Sequence, residues 1–226
     1  MNSRKICIGI FIFLFGIGLA FAIQPVGNWT IISTGHFTPN ATTNVTTAGG
    51  NVTNMNLSSS ISTTKWAGYW GNVSGSLVLA PNSSSANFYA WAWNISNGGV
   101  VCAVAAPYGF NWAAVQNTTA PFVDTVWAFG AASDNATNTL VNTCTITVGG
   151  VTVTGTAGNM TGGNTFKTCA LSDAATPTTK SDLAFCVNIA SAGTLFTGGS
   201  GNYQLMVPTN KTYGATETYS FWMDLG

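Results

Sequence analysis

The segment Thr143 to Gly155, TCTITV-GG-VTVTG, carries the sharpest fold signal in the chain. Gly149-Gly150 suits a two-residue turn whose backbone needs positive φ, and β-branched residues flank it on both sides, as in a β-hairpin. Strand-like runs repeat to either side of it: Ser74–Ala80 (SGSLVLA), Asn87–Asn94 (NFYAWAWN), Val123–Phe129, Thr165–Leu171, Asp182–Ile189, Tyr203–Val207 and Thr218–Leu225. Within NFYAWAWN, Phe88, Ala90 and Ala92 fall on one face of an extended chain and Tyr89, Trp91 and Trp93 on the other. Val100–Ala106 is a continuous apolar run around Cys102, the pattern of a strand buried on both faces. Turn-rich breaks separate these runs, and no stretch shows sustained helical periodicity with caps. The expectation is an all-β domain over 65–226, a sandwich or flattened barrel of about nine strands, preceded by an extended N-terminal arm.

The N-terminus reads as an export signal. Arg4 and Lys5 precede an apolar run, Ile6–Leu19, and Ala20-Phe21-Ala22 is a small-x-small cleavage site, so residues 1–22 are expected to be removed and the mature chain to begin at Ile23. The apolar run is too short for a comfortable membrane span and no apolar tail closes the chain, so no permanent membrane anchor is expected. Residues 23–33 contain a short strand-like segment, with Ile23, Val26, Trp29, Ile31 and Ile32 as its apolar positions. Residues 34–64 are dominated by Thr, Asn, Ser and Gly and read either as a glycosylated linker or as an irregular β arm.

Twelve Asn-x-Ser/Thr sequons follow the signal, at Asn28, Asn40, Asn44, Asn51, Asn56, Asn72, Asn82, Asn94, Asn117, Asn135, Asn159 and Asn210. Behind an export signal, that number predicts a chain coated with N-linked glycans. The coat answers a problem of composition. Only 5% of residues are charged, and four lysines against six acids leave the mature chain at −2, so charge repulsion alone keeps such a surface poorly dispersed. No basic patch exists, which argues against a nucleic-acid partner. Four cysteines remain after cleavage, Cys102, Cys144, Cys169 and Cys186; an even count in an exported chain predicts two disulfides. Three pairings are open, and we expect Cys144–Cys169 with Cys102–Cys186. Their spacing lacks the close ligand pairs of a metal site.

Chemistry is hard to find. The sole histidine, His36, lies before the folded core, and TGGSGN at Thr197–Asn202 is not a nucleophile elbow. Asp173 and Asp182 flank a polar loop and read as turn residues. Asp124, Glu217 and Asp224 lie in apolar runs, where a pair converging in a cleft would suit a glycosidase. Ser133–Leu140 offers Asp134, Asn135 and Asn138 as oxygen ligands without a closing Glu, a weak calcium loop. A self-formed Lys–Asn or Lys–Asp isopeptide bond needs an apolar pocket and a carboxylic acid; Lys65 abuts Trp66 and Glu217 is the only glutamate, but solvated charge is the simpler reading. The tryptophans, Trp66, Trp70, Trp91, Trp93, Trp112, Trp127 and Trp222 among them, could stack sugars but suit a packed core better. No catalytic residue, metal or cofactor is expected.

Trp66–Ala80 (WAGYWGNVSGSLVLA), NFYAWAW, Gly201–Pro208 (GNYQLMVP) and Thr218–Leu225 (TYSFWMDL) together resemble a group of exported archaeal proteins of unassigned biochemical function. That likeness implies an archaeal cell-surface or secreted β protein and transfers no catalytic residues. In architecture the chain is more loosely similar to the subunits of archaeal threads and bundling pili, which are all-β, exported, glycosylated and joined by donor strands. The expectation is a non-enzymatic structural subunit whose partners are copies of itself or other cell-surface proteins. The alternatives are a secreted carbohydrate-binding or adhesive module and, more remotely, a secreted hydrolase.

Overall fold

The computed structural model describes residues 42–46, 51–61, 63, 65–79, 89–161, 165–210 and 217–226. The export signal, the segment from Ile23 to Ile32 and His36 lie outside them. The strands run in order β1 (Thr42–Thr46), β2 (Asn51–Ile61), β3 (Trp66–Gly71), β4 (Val73–Leu79), β5 (Tyr89–Ala92), β6 (Gly99–Ala105) and β7 (Gln116–Asn117). Two helices, α1 (Ala120–Trp127) and α2 (Ala136–Thr139), precede β8 (Asn142–Val148), β9 (Val151–Thr161), β10 (Phe166–Ser172) and β11 (Leu183–Asn188). A small ribbon, β12 (Gly193–Thr194) and β13 (Ser200–Gly201), leads into β14 (Tyr203–Pro208) and β15 (Tyr219–Leu225).

Apart from the β12–β13 ribbon, these strands form two antiparallel sheets. The first has the order β14-β3-β2-β4-β5, with β1 paired to β2; the second has the order β15-β6-β11-β10-β9-β8, with β7 paired to β10. The result is a sandwich-like fold and not a closed barrel. Segment 34–64, open between linker and β arm, supplies β1 and β2, and β2 lies in the middle of the first sheet between β3 and β4. The sheet therefore begins before Lys65, where the sequence had placed the domain boundary. Strands also outnumber the expectation, partly because β7, β12 and β13 have two residues each.

One strand assignment is corrected. Val123–Phe129 is not extended: residues 120–127 form α1, with Pro121 in its first turn and Ala128 closing it in the left-handed region at φ 51°. Ala120, Val123 and Trp127 share one helical face and are buried. Its Val, Thr, Phe and Trp residues favour strand by propensity, but the packing of that face decides the outcome.

The second sheet is apolar on both faces. In β6, Val101, Ala103 and Ala105 belong to the core between the sheets, with Trp66, Tyr203 and Leu205 of the first sheet and Phe166, Phe185 and Phe221 of the second. Val100, Cys102 and Val104 point the other way, into a second cluster with Cys144, Ile146, Val148 and Leu171. The β8–β9 hairpin covers that outer face. Its turn is the expected one: Gly149 and Gly150 have φ 57° and 79°, and Val148 pairs with Val151. β9 pairs with β10 only as far as Gly158 opposite Cys169, after which β7 takes its place beside Leu171 and Ser172. A bulge opposite Cys144/Thr145, at Gly155 with φ 70°, bends the hairpin further. Its tip reaches the far edge of the sheet, where the Gly149 N–H donates to the Asp224 carboxylate of β15 at 2.7 Å.

Gly158 sits under the Cys144 sulfur, and a Cβ there would also stand 2.8 Å from the Thr168 carbonyl. Gly158→Ala is expected to destabilise the fold by about 1–3 kcal/mol through overpacking. Gly199→Ala, where the nearest atom is 3.5 Å away and belongs to a side-chain hydroxyl, should be near neutral. Phe185→Ala, at a fully buried position, should cost about 3–5 kcal/mol. Denaturant titration of the three variants measures all of these differences.

Candidate assembly and modification sites

The disulfides are Cys102–Cys186 and Cys144–Cys169. Strand register explains them. Cys186 is directly opposite Cys102 across β11 and β6, and Cys169 is directly opposite Cys186 across β10 and β11. Three sulfurs thus stand in one row on the outer face, and Cys144 descends onto the end of that row from the folded-over hairpin. The first bridge joins neighbouring strands and the second ties the hairpin to the sheet. Closing sequence separations of 84 and 25 residues, each contributes about 3–5 kcal/mol by restricting the unfolded chain. Two buried disulfides belong to a protein that matures in an oxidising environment. No described helix is long and apolar enough to cross a membrane.

The sequons differ in their surroundings. Asn28, Asn40 and Asn82 lie outside the described residues; Asn44 is in β1, and Asn51 and Asn56 are in β2. Asn72, Asn94 and Asn117 are exposed. Asn94 caps a 3-10 turn through its side-chain oxygen, which accepts from the Ser96 N–H at 3.0 Å. Asn159 is half-buried in β9. Asn135 is also half-buried; its oxygen accepts from the Asn138 N–H at 2.9 Å while its amide donates to the Gly130 carbonyl at 3.2 Å. Asn210 is the most engaged. Its amide nitrogen donates to the carbonyls of Trp127 at 2.9 Å and Ala128 at 3.2 Å, and its oxygen accepts from Lys65 Nζ.

The acids that could have formed a catalytic pair have separate structural partners. Asp124 accepts from the Ala136 N–H at 2.5 Å and the Thr137 N–H at 2.9 Å, capping α2. The segment weighed as a calcium loop is this capped turn, and among the described residues no cluster of His, Cys, Asp or Glu is placed to hold a metal ion. Glu217 pairs with Lys180 at 2.8 Å, and the same ammonium lies 4.2 Å from the centre of the Trp127 ring. Asp224, near the opposite end of β15, holds the hairpin tip. Asp173 accepts from the Asn111 N–H at 2.7 Å. Asp182 accepts from the Thr178 and Thr179 N–H groups at 2.7 and 2.9 Å and from the Thr179 hydroxyl at 2.6 Å.

The tryptophans do not make a flat platform among the described residues. Trp66, Trp70, Trp93 and Trp127 are buried. Trp112 and Trp222 are half-buried at the margin of the outer cluster and meet edge-on at 63°. Tyr69, Tyr203 and Tyr219 line the core; burial pushes the Tyr69 phenol up to about 12 and raises the other two as well, so none ionises near neutrality. Local sequence carried no sign of the Asp224–Gly149 bond or of the clamp on Asn210, because both join residues remote in the chain.

Burial alone would raise the Asp182 carboxyl, but the hydrogen bonds from Thr179 and Thr178 outweigh it and hold it below the ordinary carboxylate range. A carboxyl whose folded value is depressed stabilises the fold above its unfolded value and loses that contribution as pH falls through the folded value. Asp182→Ala should therefore lower the unfolding temperature at neutral pH, and its gap from the wild type should close on acidification below the carboxylate range. Asp224→Ala should speed amide exchange at Gly149 while leaving the β10–β11 amides protected; exchange monitored by mass spectrometry reads this out.

No family model matches the chain, and no curated protein and no solved structure matches it either. The row of disulfides, the strapped outer face and the clamped Asn210 are therefore read from this chain alone.

Proposed function

We propose that the chain is a non-enzymatic, N-glycosylated structural subunit of an archaeal cell-surface filament or extracellular matrix, exported by residues 1–22 and joined to copies of itself by donor-strand exchange. The observation that carries the reading is the edge of the second sheet, where among the described residues β15 pairs with β6 alone. β15 is the last strand of the second sheet, and its Phe221 meets Tyr69 of β3 with ring centroids 5.1 Å apart. The first sheet continues past β3 through β2, β4 and β5. Met55 and Leu57 of β2 and Val73 of β4, with Trp93 just past the end of β5, are buried in the inter-sheet core. A strand from a neighbouring subunit, paired along the outer edge of β15, would extend the second sheet by one strand. The segment bearing Ile23, Val26, Trp29, Ile31 and Ile32 is the donor in this scheme.

The surface chemistry supports the same reading. Nearly every described acid is committed to a cap, a turn or an ion pair, so glycans at exposed sequons would supply the hydration that charge does not. Asn72, Asn94 and Asn117 should carry glycans in the native host, whereas Asn135 and Asn210 should be bare, since their amides are already used inside the fold. Glycopeptide mass spectrometry decides this site by site.

Removing residues 23–33 should abolish filaments seen by electron microscopy while the remaining domain, whose described strands start at Thr42, keeps a cooperative thermal transition. Trp29→Asp with Ile31→Asp should do the same with less disruption, because those positions share one face of an extended strand. Filaments that persist in either variant would refute the donor assignment. Monomers only, from both native and truncated material, would refute the filament reading.

A further inference from the structure

We propose that Lys65 and Asn210 condense to an intramolecular isopeptide bond. The sequence favoured a solvated Lys65, but the structure buries half of that residue, with its ammonium 5.4 Å from the centre of the Phe129 ring. Lys65 Nζ donates to Asn210 Oδ1, across 145 residues of sequence. Among the described residues no carboxylate lies within ion-pairing distance of it, whereas Lys180, the other lysine over an aromatic ring, pairs with Glu217. The lysine is thus aimed at a neutral carboxamide, with an aromatic ring and no carboxylate beside it among the described residues.

Backbone and side chain both fix this encounter. Trp66 pairs with Pro208 at the end of the β3–β14 ladder, and the Thr209 N–H donates to the Lys65 carbonyl at 2.6 Å. The Asn210 amide nitrogen is held by the Trp127 and Ala128 carbonyls, so the carboxamide cannot rotate away from the amine. The Trp66 indole N–H donates to the Asp134 carbonyl at 2.7 Å, packing the adjoining loop over the same end. Such fixed proximity is what converts a slow bimolecular aminolysis into an intramolecular one.

The reaction needs no oxidant or co-reactant. Deprotonated Nζ attacks the Asn210 side-chain carbonyl carbon and forms a new C–N bond. The bond from that carbon to Nδ2 breaks, and the nitrogen takes one proton from the attacking amine and leaves as ammonia. The product is an amide joining the two side chains. Among the described residues no carboxyl group touches the pair; the groups beside the departing nitrogen are the Trp127 and Ala128 carbonyls that already hold it.

The bond can form in a monomer as well as in a filament, so its test is separate from that of assembly. The mature protein is reduced, alkylated, digested and mapped by tandem mass spectrometry. The expected result is one branched peptide joining Lys65 to Asn210, lighter than its two parts by about 17 Da, the mass of ammonia. Lys65→Arg and Asn210→Ala should each remove the branched peptide and lower the unfolding temperature, with both disulfides intact as the check on folding. Two separate linear peptides from the wild-type protein, with Asn210 either bare or glycosylated, would overturn the proposal even if neither variant folds.

Discussion

The central strands of the second sheet, β6, β11 and β10, are buried on both faces, and most of the molecule follows from that constraint. A strand such as β6, apolar at every position from Val100 to Ala105, must be covered twice. One cover is the first sheet; the other is the chain's own β8–β9 hairpin, which leaves the β10 edge and folds back across the sheet. A hairpin used in this way must bend sharply, lie close and stay down. Gly155 supplies the bend and Gly158 the close approach, while Cys144–Cys169 and the Asp224–Gly149 bond fasten it at its base and tip. The row Cys102, Cys186, Cys169 lies under this cover, where apolar burial and the covalent ties act on the same strands.

Scarcity of charge shapes what remains. With so few ionised groups, backbone amides at turns and helix ends are satisfied by Asp, Asn and Thr side chains, and the described acids serve as caps and anchors. That economy leaves aromatic residues to organise the end of the sandwich where α1 packs. Trp127 stacks on Tyr219 at 11° with Lys180 over its ring, and Trp66 meets Phe129 edge-on at 65° with Lys65 over the Phe129 ring. A low-charge exterior of this kind is the surface that the proposed glycan coat would hydrate.

The sequence was most legible where structure is local. The Gly149-Gly150 hairpin depends on its own turn chemistry, and the two-sided burial of β6 is written in an unbroken apolar run. β-Branched residues misled at Val123–Phe129, because the spacing of Ala120, Val123 and Trp127 counts only once there is a surface for that helical face to meet. Pro121 was the available sign of a helix start. The expected cysteine pairs agree with the structure, but their reason is strand register, which no residue spacing encodes. Asp224 and Asn210 were legible only as a strand-end acid and a sequon. Each acts on a partner brought near by topology, so their roles appear only in three dimensions.

The position of the Lys65–Asn210 contact also bears on mechanics. If subunits are linked through their N-terminal arms, tension enters a subunit ahead of β1 and pulls along the chain toward β2. Hydrogen bonds between β1 and β2 can then open one after another, and β2, paired with both β3 and β4, bears the load next. The first residue of the following strand region is Lys65, beside the point where β14 ends. A covalent amide to Asn210 would stop the opening there and divide the force between β3 and β14, both of which lie against the core. Beyond it, Cys102–Cys186 and Cys144–Cys169 hold the second sheet. Peeling would thus be confined to β1 and β2, the strands nearest the arm, while the doubly covered sheet stays closed under load.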